Sequence, residues 1–165
     1  MQNIWPLRKA KIKIRPLRID DLDEVMELHR ELGWNPAFQA DGTTLRQRLE
    51  ELVSEDGALL FVAELGGRVA GYVHGEIVTY LLFAGREMQV SELFVRENAR
   101  GKGVGKALIA LIEAEAVKRR CFRISVQNGR ERESYRRGFY PALGYEERTR
   151  TALFIKRLDW GKSGE

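Results

Sequence analysis

Residues 87–112 read Glu-Met-Gln-Val-Ser-Glu-Leu-Phe-Val-Arg-Glu-Asn-Ala-Arg-Gly-Lys-Gly-Val-Gly-Lys-Ala-Leu-Ile-Ala-Leu-Ile, and this stretch decides the fold. Its first part, 88–95, is short and rich in apolar and β-branched residues, which predicts a strand. Residues 96–105 are polar and contain three glycines, which predicts a turn. From Lys106 onward the apolar residues recur at helical spacing. The sequence therefore predicts a strand, a glycine-rich turn and a helix.

A helix that begins directly after a glycine-rich turn is suited to bind an anion. The amides of its first turn have no partner within the helix, and the helix dipole favours negative charge there. Three glycines lack a Cβ and so allow a phosphate to approach the backbone closely: Gly101, Gly103 and Gly105. Three side chains add positive charge: Arg100, Lys102 and Lys106.

Two common phosphate-binding patterns do not fit this segment. The dinucleotide pattern Gly-x-Gly-x-x-Gly needs a glycine at position 106 or 108, where the chain has Lys106 and Leu108. The triphosphatase loop needs Ser or Thr after Gly-Lys, where the chain has Ala107, and it needs a glycine at the position of Arg100.

A third pattern, Arg/Gln-x-x-Gly-x-Gly/Ala, is matched without a gap by Arg100, Gly103 and Gly105. In this the segment resembles the loop by which the GCN5-related N-acetyltransferase (GNAT) family holds the pyrophosphate of acetyl-CoA. The preceding Leu93-Phe94-Val95 also stands where that family has such residues. The alternative interpretation is a turn that only caps a helix.

Length and composition indicate one ordinary globular domain. The chain has 165 residues, of which 44% are hydrophobic and 32% charged. The net charge of +4 suits anionic ligands and does not by itself indicate nucleic acid. One cysteine, Cys121, excludes an intrachain disulfide and fits a reducing compartment. There is no apolar run of membrane length and no apolar signal core near the N-terminus, so we expect a cytoplasmic protein without a membrane or metal site.

The predicted element order is β-α-α-β-β-β-α-β-α-β-β. Helices are predicted after Asp20, after Thr43 or Thr44, from Lys106 and over 132–143. Strands are predicted over 11–15, 58–65, 68–79, 88–95, 121–126, 145–149 and 152–158, with Gly66-Gly67 as a hairpin turn. This order predicts an α/β fold with a mixed, largely antiparallel sheet and helices on both faces. We expect an extension over 1–10, one domain over 11–160 and a polar tail over 161–165.

That order is also the order of the GNAT family, and a second motif adds to the resemblance. Residues 139–145, Phe-Tyr-Pro-Ala-Leu-Gly-Tyr, are similar to the family's Phe-Tyr-x-x-Leu-Gly-Phe/Tyr segment. The sequence departs from the family at one position. In the family an asparagine often lies about six residues before the tyrosine that corresponds to Tyr140. This chain has Ser134 at that spacing and Asn128 farther back. Either residue is therefore a candidate contact of the cofactor.

The resemblance implies a binding site for acetyl-CoA as cosubstrate. It implies that Leu93, Phe94 and Val95 lie on a splayed strand whose backbone bonds the pantetheine amides. It implies that the loop from Arg100 to Gly105, with Lys106, binds the pyrophosphate. Because such a site is mostly backbone, the side chains of Lys102 and Val104 are expected to vary freely.

The resemblance also implies direct transfer of the acetyl group to an amine in a ternary complex, without an acyl-enzyme and without a role for Cys121. Tyr140 stands at the family's general-acid position, and a phenol is protonated at neutral pH. Glu92, directly before Leu93, is the candidate base. Rival interpretations are Glu76, Glu87 or a chain of water molecules, and a structural ion pair for Glu92.

The acceptor is predicted only as a primary amine on a small molecule or a protein. Four aromatic residues favour a partly apolar acceptor site: Trp34, Phe38, Tyr80 and Phe83. His29 and His74 are interpreted as structural. The apolar connection 80–83 motivates a homodimer. Two other classes of function stay open: a non-catalytic acyl-CoA-binding module, and a nucleic-acid-binding protein with its basic run at 118–120. The second is disfavoured because acidic residues are interspersed and no nucleic-acid motif is present.

Overall fold

The computed structural model describes residues 11–31, 42–54 and 58–156. The chain divides into two compact units, Met1–Gln127 and Asn128–Glu165. Three predicted features lie outside the described residues: the N-terminal extension, the loop that carries Trp34 and Phe38, and the polar tail. Within the described ranges no helix has the length and apolar character needed to cross a bilayer.

The first unit contains a five-stranded sheet with the strand order β1-β2-β3-β4-β5. Neighbouring strands are antiparallel except β4 and β5, which are parallel. The strands are β1 (Lys13–Pro16), β2 (Leu59–Leu65), β3 (Arg68–Thr79), β4 (Arg86–Val95) and β5 (Cys121–Val126). The hairpin turn between β2 and β3 has φ angles of 64° at Gly66 and 81° at Gly67, as a two-residue hairpin requires. The predicted mixed, largely antiparallel sheet is confirmed.

Three helices cover the two faces of this sheet. They are α1 (Leu22–Glu31), α2 (Gly42–Ser54) and α3 (Val104–Lys118). Side chains of α1 and α2 share a buried core with Tyr72 of β3 and Phe94 of β4. Gly71 and Gly75, which alternate with Tyr72 on β3, face α3 instead, and a Cβ at Gly75 would lie 3.1 Å from Ile112 Cδ1. The prediction of helices on both faces is therefore confirmed.

The starts of α1 and α2 differ from the sequence prediction. A 3-10 turn, Ile19–Asp21, leads into α1, and Asp21 rather than Asp20 makes its capping contact, because the Asp21 carboxylate accepts the Arg18 backbone N–H at 2.7 Å. The same carboxylate pairs with Arg15, which holds the pKa of Asp21 below its usual value. In α2, Gly42 is already helical, so Thr43 and Thr44 lie in its first turn rather than before it.

A β-bulge in β4 decides which face its later residues occupy. His74 pairs with Glu92 and Gly75 pairs with Val90, so Ser91 is an extra residue in β4. Val90 therefore lies on the α3 face with Gly75, whereas Glu92 lies on the α1 face with His74. Strict alternation without the bulge would have placed Val90 and Glu92 on the same face.

Arg96 fixes the C-terminal end of α1 beside the end of β4. It is buried, and its guanidinium donates to the Val69 carbonyl at 2.7 Å and to Glu27 at 3.1 Å, with a further bond to Glu31. Because Arg96 directly follows β4, these bonds hold α1 next to the strand that leads into the glycine-rich turn.

The second unit contains a short helix, α4 (Glu133–Arg136), and a 3-10 turn, Pro141–Leu143. Gly138, with a φ of 65°, separates them, so the helix predicted over 132–143 is divided into two short pieces. The predicted closing strands over 145–149 and 152–158 are wrong as far as the described residues reach, because 145–156 form no strand. The segment 146–150 is charged and exposed, and Glu147 bonds Arg130 and Tyr135 through its side chain.

Candidate active site

The glycine-rich turn lies between β4 and α3. A 3-10 turn, Glu97–Ala99, leads from β4 to Arg100. Gly101 and Gly103 then take the left-handed backbone conformation, with φ angles of 72° and 89°. Among the described residues, a Cβ at Gly101 would have no atom within 4 Å, and a Cβ at Gly103 would meet Ile12 Cδ1 at 3.8 Å. The turn therefore has its glycines where the backbone needs them, and it is open on its outer side.

The first turn of α3 presents backbone N–H groups beside this turn. The first helical hydrogen bond runs from Ala107 N–H to the Gly103 carbonyl at 2.9 Å, so the amides of 104–106 precede it and have no helical partner. The helix has 15 residues, which gives it a full dipole that is positive at this end. The side chains of Lys102 and Lys106 are exposed. The segment combines free amides, a dipole and cations, as the sequence predicted.

The prediction that position 104 varies freely is wrong. Val104 is 1% exposed and belongs to the core. A Cβ at Gly71 of β3 would lie 3.3 Å from Val104 Cγ1, so this side chain packs tightly on the sheet. Only the amide of Val104 is available to a ligand, whereas the side chain of Lys102 is exposed as expected.

The strands β4 and β5 separate before β4 ends. Their parallel register runs from Arg86 and Cys121 to Val90 and Val126. The antiparallel register of β4 with β3 continues to Val95. Residues 91–95 therefore belong to the sheet through β3 alone, and their other edge is not paired with β5. This agrees with the expected splay at Leu93 and Val95. The side chain of Phe94 is buried in the core, so any contact of this residue with a ligand is through its backbone.

Glu92 lies in a chain of polar side chains on the α1 face. The Tyr72 hydroxyl donates to Glu92 Oε2 at 2.8 Å. The same hydroxyl lies 2.5 Å from His29 Nε2. The chain thus joins α1, β3 and β4, and its first member is the residue predicted to be the base.

The protonation of the two supporting residues follows from their burial. Burial raises the pKa of Tyr72 far above its usual value, and the charge of Glu92 and the hydrogen bond to it act in the same direction. Burial lowers the pKa of His29 below its usual value, and the charge of Glu92 opposes this less strongly. Near pH 7, Tyr72 is therefore a phenol and His29 is a neutral imidazole.

The rival carboxylates have other partners. Glu87 is buried, and Arg123 Nε donates to its Oε2 at 2.7 Å. Burial alone raises the pKa of Glu87, but hydrogen bonds from Ser125, Arg123 and Tyr80 outweigh this effect and hold the pKa below its usual value. Glu76 Oε1 lies 3.5 Å from Nε2 of the buried His74. Within the described ranges, no three His, Cys, Asp or Glu side chains are grouped so as to hold a metal ion.

Tyr140 lies in the second unit, directly before the 3-10 turn Pro141–Leu143. Its ring makes edge contacts with Phe139 and Tyr145, at centroid distances of 5.0 and 5.7 Å. Burial raises the pKa of Tyr140 to about 12, and the charge of Arg132 opposes this less strongly. The hydroxyl is therefore protonated at neutral pH, as a proton donor must be.

Asn128 and Ser134, the two candidates for one cofactor contact, bond to each other. The Ser134 hydroxyl donates to Asn128 Oδ1 at 3.1 Å. Asn128 Nδ2 is buried and has no hydrogen-bond partner among the described residues. Ser134 thus fixes the orientation of the amide, and Asn128 keeps an unused donor.

A family model described as "Acetyltransferase (GNAT) family" matches residues 22–145 of the 165. The chain belongs to the GNAT acetyltransferase family. A curated relative of this acetyltransferase, acetyltransferase SG1711 from Sodalis glossinidius (strain morsitans), is 27% identical over 151 residues, which are 89% of this chain and 96% of that protein. The family that the sequence resembles is therefore confirmed.

Solved structures show the same fold. Glucosamine-6-phosphate N-acetyltransferase from Arabidopsis thaliana is 22% identical, with a TM-score of 0.74 and coverage of 90% of this chain and 99% of that chain. AAC(6')-Iy in complex with the bisubstrate analog CoA-S-monomethyl-acetylneamine is 24% identical, with a TM-score of 0.74 and coverage of 90% and 100%. Each match covers about nine tenths of this acetyltransferase, so its GNAT fold is that of a single domain.

Sequence reasoning placed the turn, the splayed strand and Glu92 in this acetyltransferase, but it missed the partners of Glu92. From the sequence, His29 is interpreted as structural and no role is assigned to Tyr72. The sequence holds little signal for this contact, because Glu92 is one of several polar residues in β4 and Tyr72 shares a face of β3 with His74 and Glu76. The sequence could not show that the bulge at Ser91 brings them together.

Proposed function

We propose that the protein is an acetyl-CoA-dependent N-acetyltransferase that transfers the acetyl group directly to a primary amine in a ternary complex. The observation that carries this proposal is the separation of β4 from β5 beyond Val90, which lies directly ahead of an open glycine-rich turn. An unpaired strand edge suits a ligand with amide groups, and a helix N-terminus suits its phosphates. CoA has both chemical groups in this order along its length.

In this proposal the segment from Arg100 to Lys106 binds the pyrophosphate. The amides of 104–106 donate to phosphate oxygens, and the exposed lysines add positive charge. Gly101 and Gly103 are required because their φ angles of 72° and 89° are unfavourable for other residues. Most of the affinity then comes from the backbone, with the side chain of Val104 serving the core.

The backbone of 93–95 binds the pantetheine amides along the edge that β5 leaves unpaired. We assign to Asn128 the contact that the GNAT family often makes with an asparagine, because its Nδ2 is an unused, buried donor. Ser134, at the family's sequence position, has the supporting role of holding Oδ1 of that amide.

The chemistry requires a proton acceptor for the amine and a proton donor for the sulfur. The amine nitrogen attacks the thioester carbonyl, so that a C–N bond forms while the C–S bond breaks. Glu92 accepts the proton that the nitrogen loses, directly or through a water molecule. Tyr140 donates its hydroxyl proton to the departing thiolate and regains one from solvent. With its pKa at about 12, Tyr140 is protonated at neutral pH and holds the proton that this role requires.

The acceptor is proposed as a primary amine. Two structural neighbours are named for amine-bearing sugars: one is a glucosamine-6-phosphate N-acetyltransferase and the other is an aminoglycoside N-acetyltransferase. Because these two are only 22% and 24% identical in sequence to this chain, they show a shared fold, and which amine is the acceptor is a question for experiment. Glu92 and Glu76 lie on one face of the sheet and favour a cationic amine over an anionic acceptor.

The alternative of nucleic-acid binding is disfavoured by the ion pairs of the basic residues. Lys118 and Arg119 both pair with Glu115, and Arg130 pairs with Glu147. The basic runs are thus partly neutralised within their own segments. The alternative of a non-catalytic acyl-CoA-binding module shares the whole cofactor site and differs only in lacking turnover.

Direct transfer is tested by the mass of the intact protein. After incubation with acetyl-CoA alone we expect no stable added acetyl group, and initial-rate plots with amine should intersect, as they do for a ternary complex. Cys121 is the matched control because it is the protein's one thiol. Cys121→Ser should turn over like the wild type. An acetylated Cys121 together with parallel-line kinetics would refute direct transfer.

A further inference from the structure

The chain of Glu92, Tyr72 and His29 is built from three elements, and its central residue, Tyr72, is buried between two half-buried ones. Tyr72 is 2% exposed, so bulk water does not satisfy its hydroxyl. The rings of His29 and Tyr72 stack at 5.6 Å with an interplanar angle of 17°. Phe94 packs against both, at 5.2 and 5.4 Å. The rings therefore fix the position of the hydroxyl that contacts Glu92.

A proton count fixes the direction of the hydrogen bonds. Tyr72 has one hydroxyl proton and two neighbours within hydrogen-bond distance. If that proton goes to an ionised Glu92, the bond to His29 must use a proton on Nε2, and Nε2–H then donates to the Tyr72 oxygen. The opposite direction would require a protonated Glu92, which cannot accept a proton from an amine. If Glu92 acts as the base, His29 Nε2–H therefore donates to the Tyr72 oxygen, and the Tyr72 hydroxyl donates to Glu92.

We propose that Tyr72 and His29 are positioning residues that hold Glu92 as an oriented carboxylate for the acceptor amine. The inference rests on the proposed role of Glu92 as the base. Tyr72 occupies Oε2, which leaves Oε1 to take the proton. His29 fixes the direction of the Tyr72 hydroxyl through its Nε2–H tautomer. Neither residue touches the reacting atoms in this assignment.

Other ionisable groups near this chain make their contacts elsewhere than at the Tyr72 hydroxyl. His74 of β3 is the register partner of Glu92, and its Nε2 lies 3.5 Å from Glu76. Arg96, farther along, is bonded to Glu27 and Glu31 of α1. None of these contacts involves the Tyr72 hydroxyl, so a change in the titration of Glu92 in Tyr72→Phe reports on that hydroxyl.

The first test is the pH profile of Tyr72→Phe, which keeps the ring and loses the donor. Losing a hydrogen bond to a carboxylate should move the acid limb of kcat/KM upward by about one pH unit. We expect kcat to fall roughly tenfold and the KM for acetyl-CoA to change little. His29→Leu removes the donor to the Tyr72 oxygen and should move the acid limb in the same direction by a smaller amount. His29→Gln retains an N–H donor and should move the acid limb less than His29→Leu does. A purely structural role predicts a lower melting temperature with an unmoved acid limb.

The second test does not depend on activity. The titration of the Glu92 side-chain carboxyl is followed by carbon-13 NMR without substrate, and Glu92→Gln identifies its signal. Tyr72→Phe should raise the midpoint by about one pH unit. Tyr135→Phe is the matched control, because it removes a tyrosine-to-glutamate hydrogen bond, to Glu147 at 3.0 Å, in the second unit. It should leave the Glu92 midpoint unchanged.

The two tests separate this inference from the proposed function. An unmoved Glu92 midpoint in Tyr72→Phe overturns the inference, even if the protein acetylates amines. A raised midpoint in a protein that acetylates no amine supports the link between Tyr72 and Glu92 and refutes the proposed function. A raised midpoint together with a shifted acid limb supports both.

Discussion

Replacing Gly103 with glutamate places a negative charge in the turn that we propose binds the CoA pyrophosphate. Gly103 has a φ of 89° and directly precedes α3. Its outer side is open, since a Cβ there would meet only Ile12 Cδ1, at 3.8 Å, among the described residues. A glutamate therefore fits sterically, and its carboxylate competes with phosphate for the first-turn amides.

Backbone strain sets the loss of folding stability in this variant, and charge repulsion sets the loss of CoA affinity. Any residue with a Cβ at this φ costs roughly 1–2 kcal/mol of folding stability, and alanine and glutamate share that cost. Repulsion between two unit charges about 5 Å apart is roughly 1–3 kcal/mol at effective dielectric constants between those of a protein surface and water. Because about 1.4 kcal/mol corresponds to a tenfold change, we expect CoA to bind at least tenfold more weakly.

Isothermal calorimetry on Gly103→Glu and Gly103→Ala separates these two effects. The alanine variant carries the strain without the charge, so the ratio of the two CoA dissociation constants reports the charge alone. That ratio should fall as salt is added, because salt screens exposed charges. Equal CoA affinity in two folded variants would refute the assignment of this turn to the pyrophosphate.

Three further predictions test other parts of the molecule. Tyr140→Phe should lower kcat by roughly 10- to 1,000-fold with an unchanged KM for acetyl-CoA, because a general acid acts in the transition state; full turnover with a lower melting temperature would mark Tyr140 as a core residue. Leu82 is 92% exposed in the apolar connection 80–83 and should lie in a homodimer contact. Light scattering should therefore show a dimer that Leu82→Arg dissociates, and a monomeric wild type would contradict this. Val104→Ala should lower the free energy of unfolding by roughly 1–3 kcal/mol in denaturant titrations, whereas the exposed Lys102→Ala should change it by less than about 0.5 kcal/mol; equal effects would contradict the burial of Val104.

Local sequence signals predicted the parts of the fold that local physics determines. Gly66-Gly67 predicted its hairpin because only residues that tolerate positive φ fit a two-residue turn. The strand, turn and helix over 87–112 followed from the change in hydrophobic period from strand to helix. The glycine-rich turn was recognisable for the same reason, since two of its glycines, Gly101 and Gly103, have positive φ.

Those local signals could not predict contacts between residues that lie far apart in the sequence. The segment 152–158 has an apolar run typical of a strand, yet its described part is irregular, and Leu153, Phe154 and Ile155 are exposed. A pattern predicts which residues favour a strand, whereas a ladder also needs a partner edge. Val104 was misjudged for a related reason, because its position in the loop motif did not reveal that Gly71 leaves space for its side chain.

The sequence pointed to Glu92 as the candidate base but did not predict its hydrogen-bond partner, Tyr72. Glu92 was identified from its place before Leu93, while the hydrogen bond from Tyr72 depends on an extra residue, Ser91, in β4. A bulge of one residue reverses which face the following side chains occupy. Such a reversal leaves no clear mark in the hydrophobic pattern, so the chain of polar groups became visible only in three dimensions.

The central claim is tested most directly by following the release of free CoA thiol over time with acetyl-CoA and a panel of primary amines. The account predicts that thiol release depends on the amine, continues over many turnovers, and is matched one to one by acetylated amine in mass spectrometry. Glu92→Gln should slow that release while CoA still binds with wild-type affinity. Tight CoA binding without amine-dependent thiol release, across small amines, amino acids, polyamines, aminoglycosides and peptides, would contradict the account and identify a binding module instead.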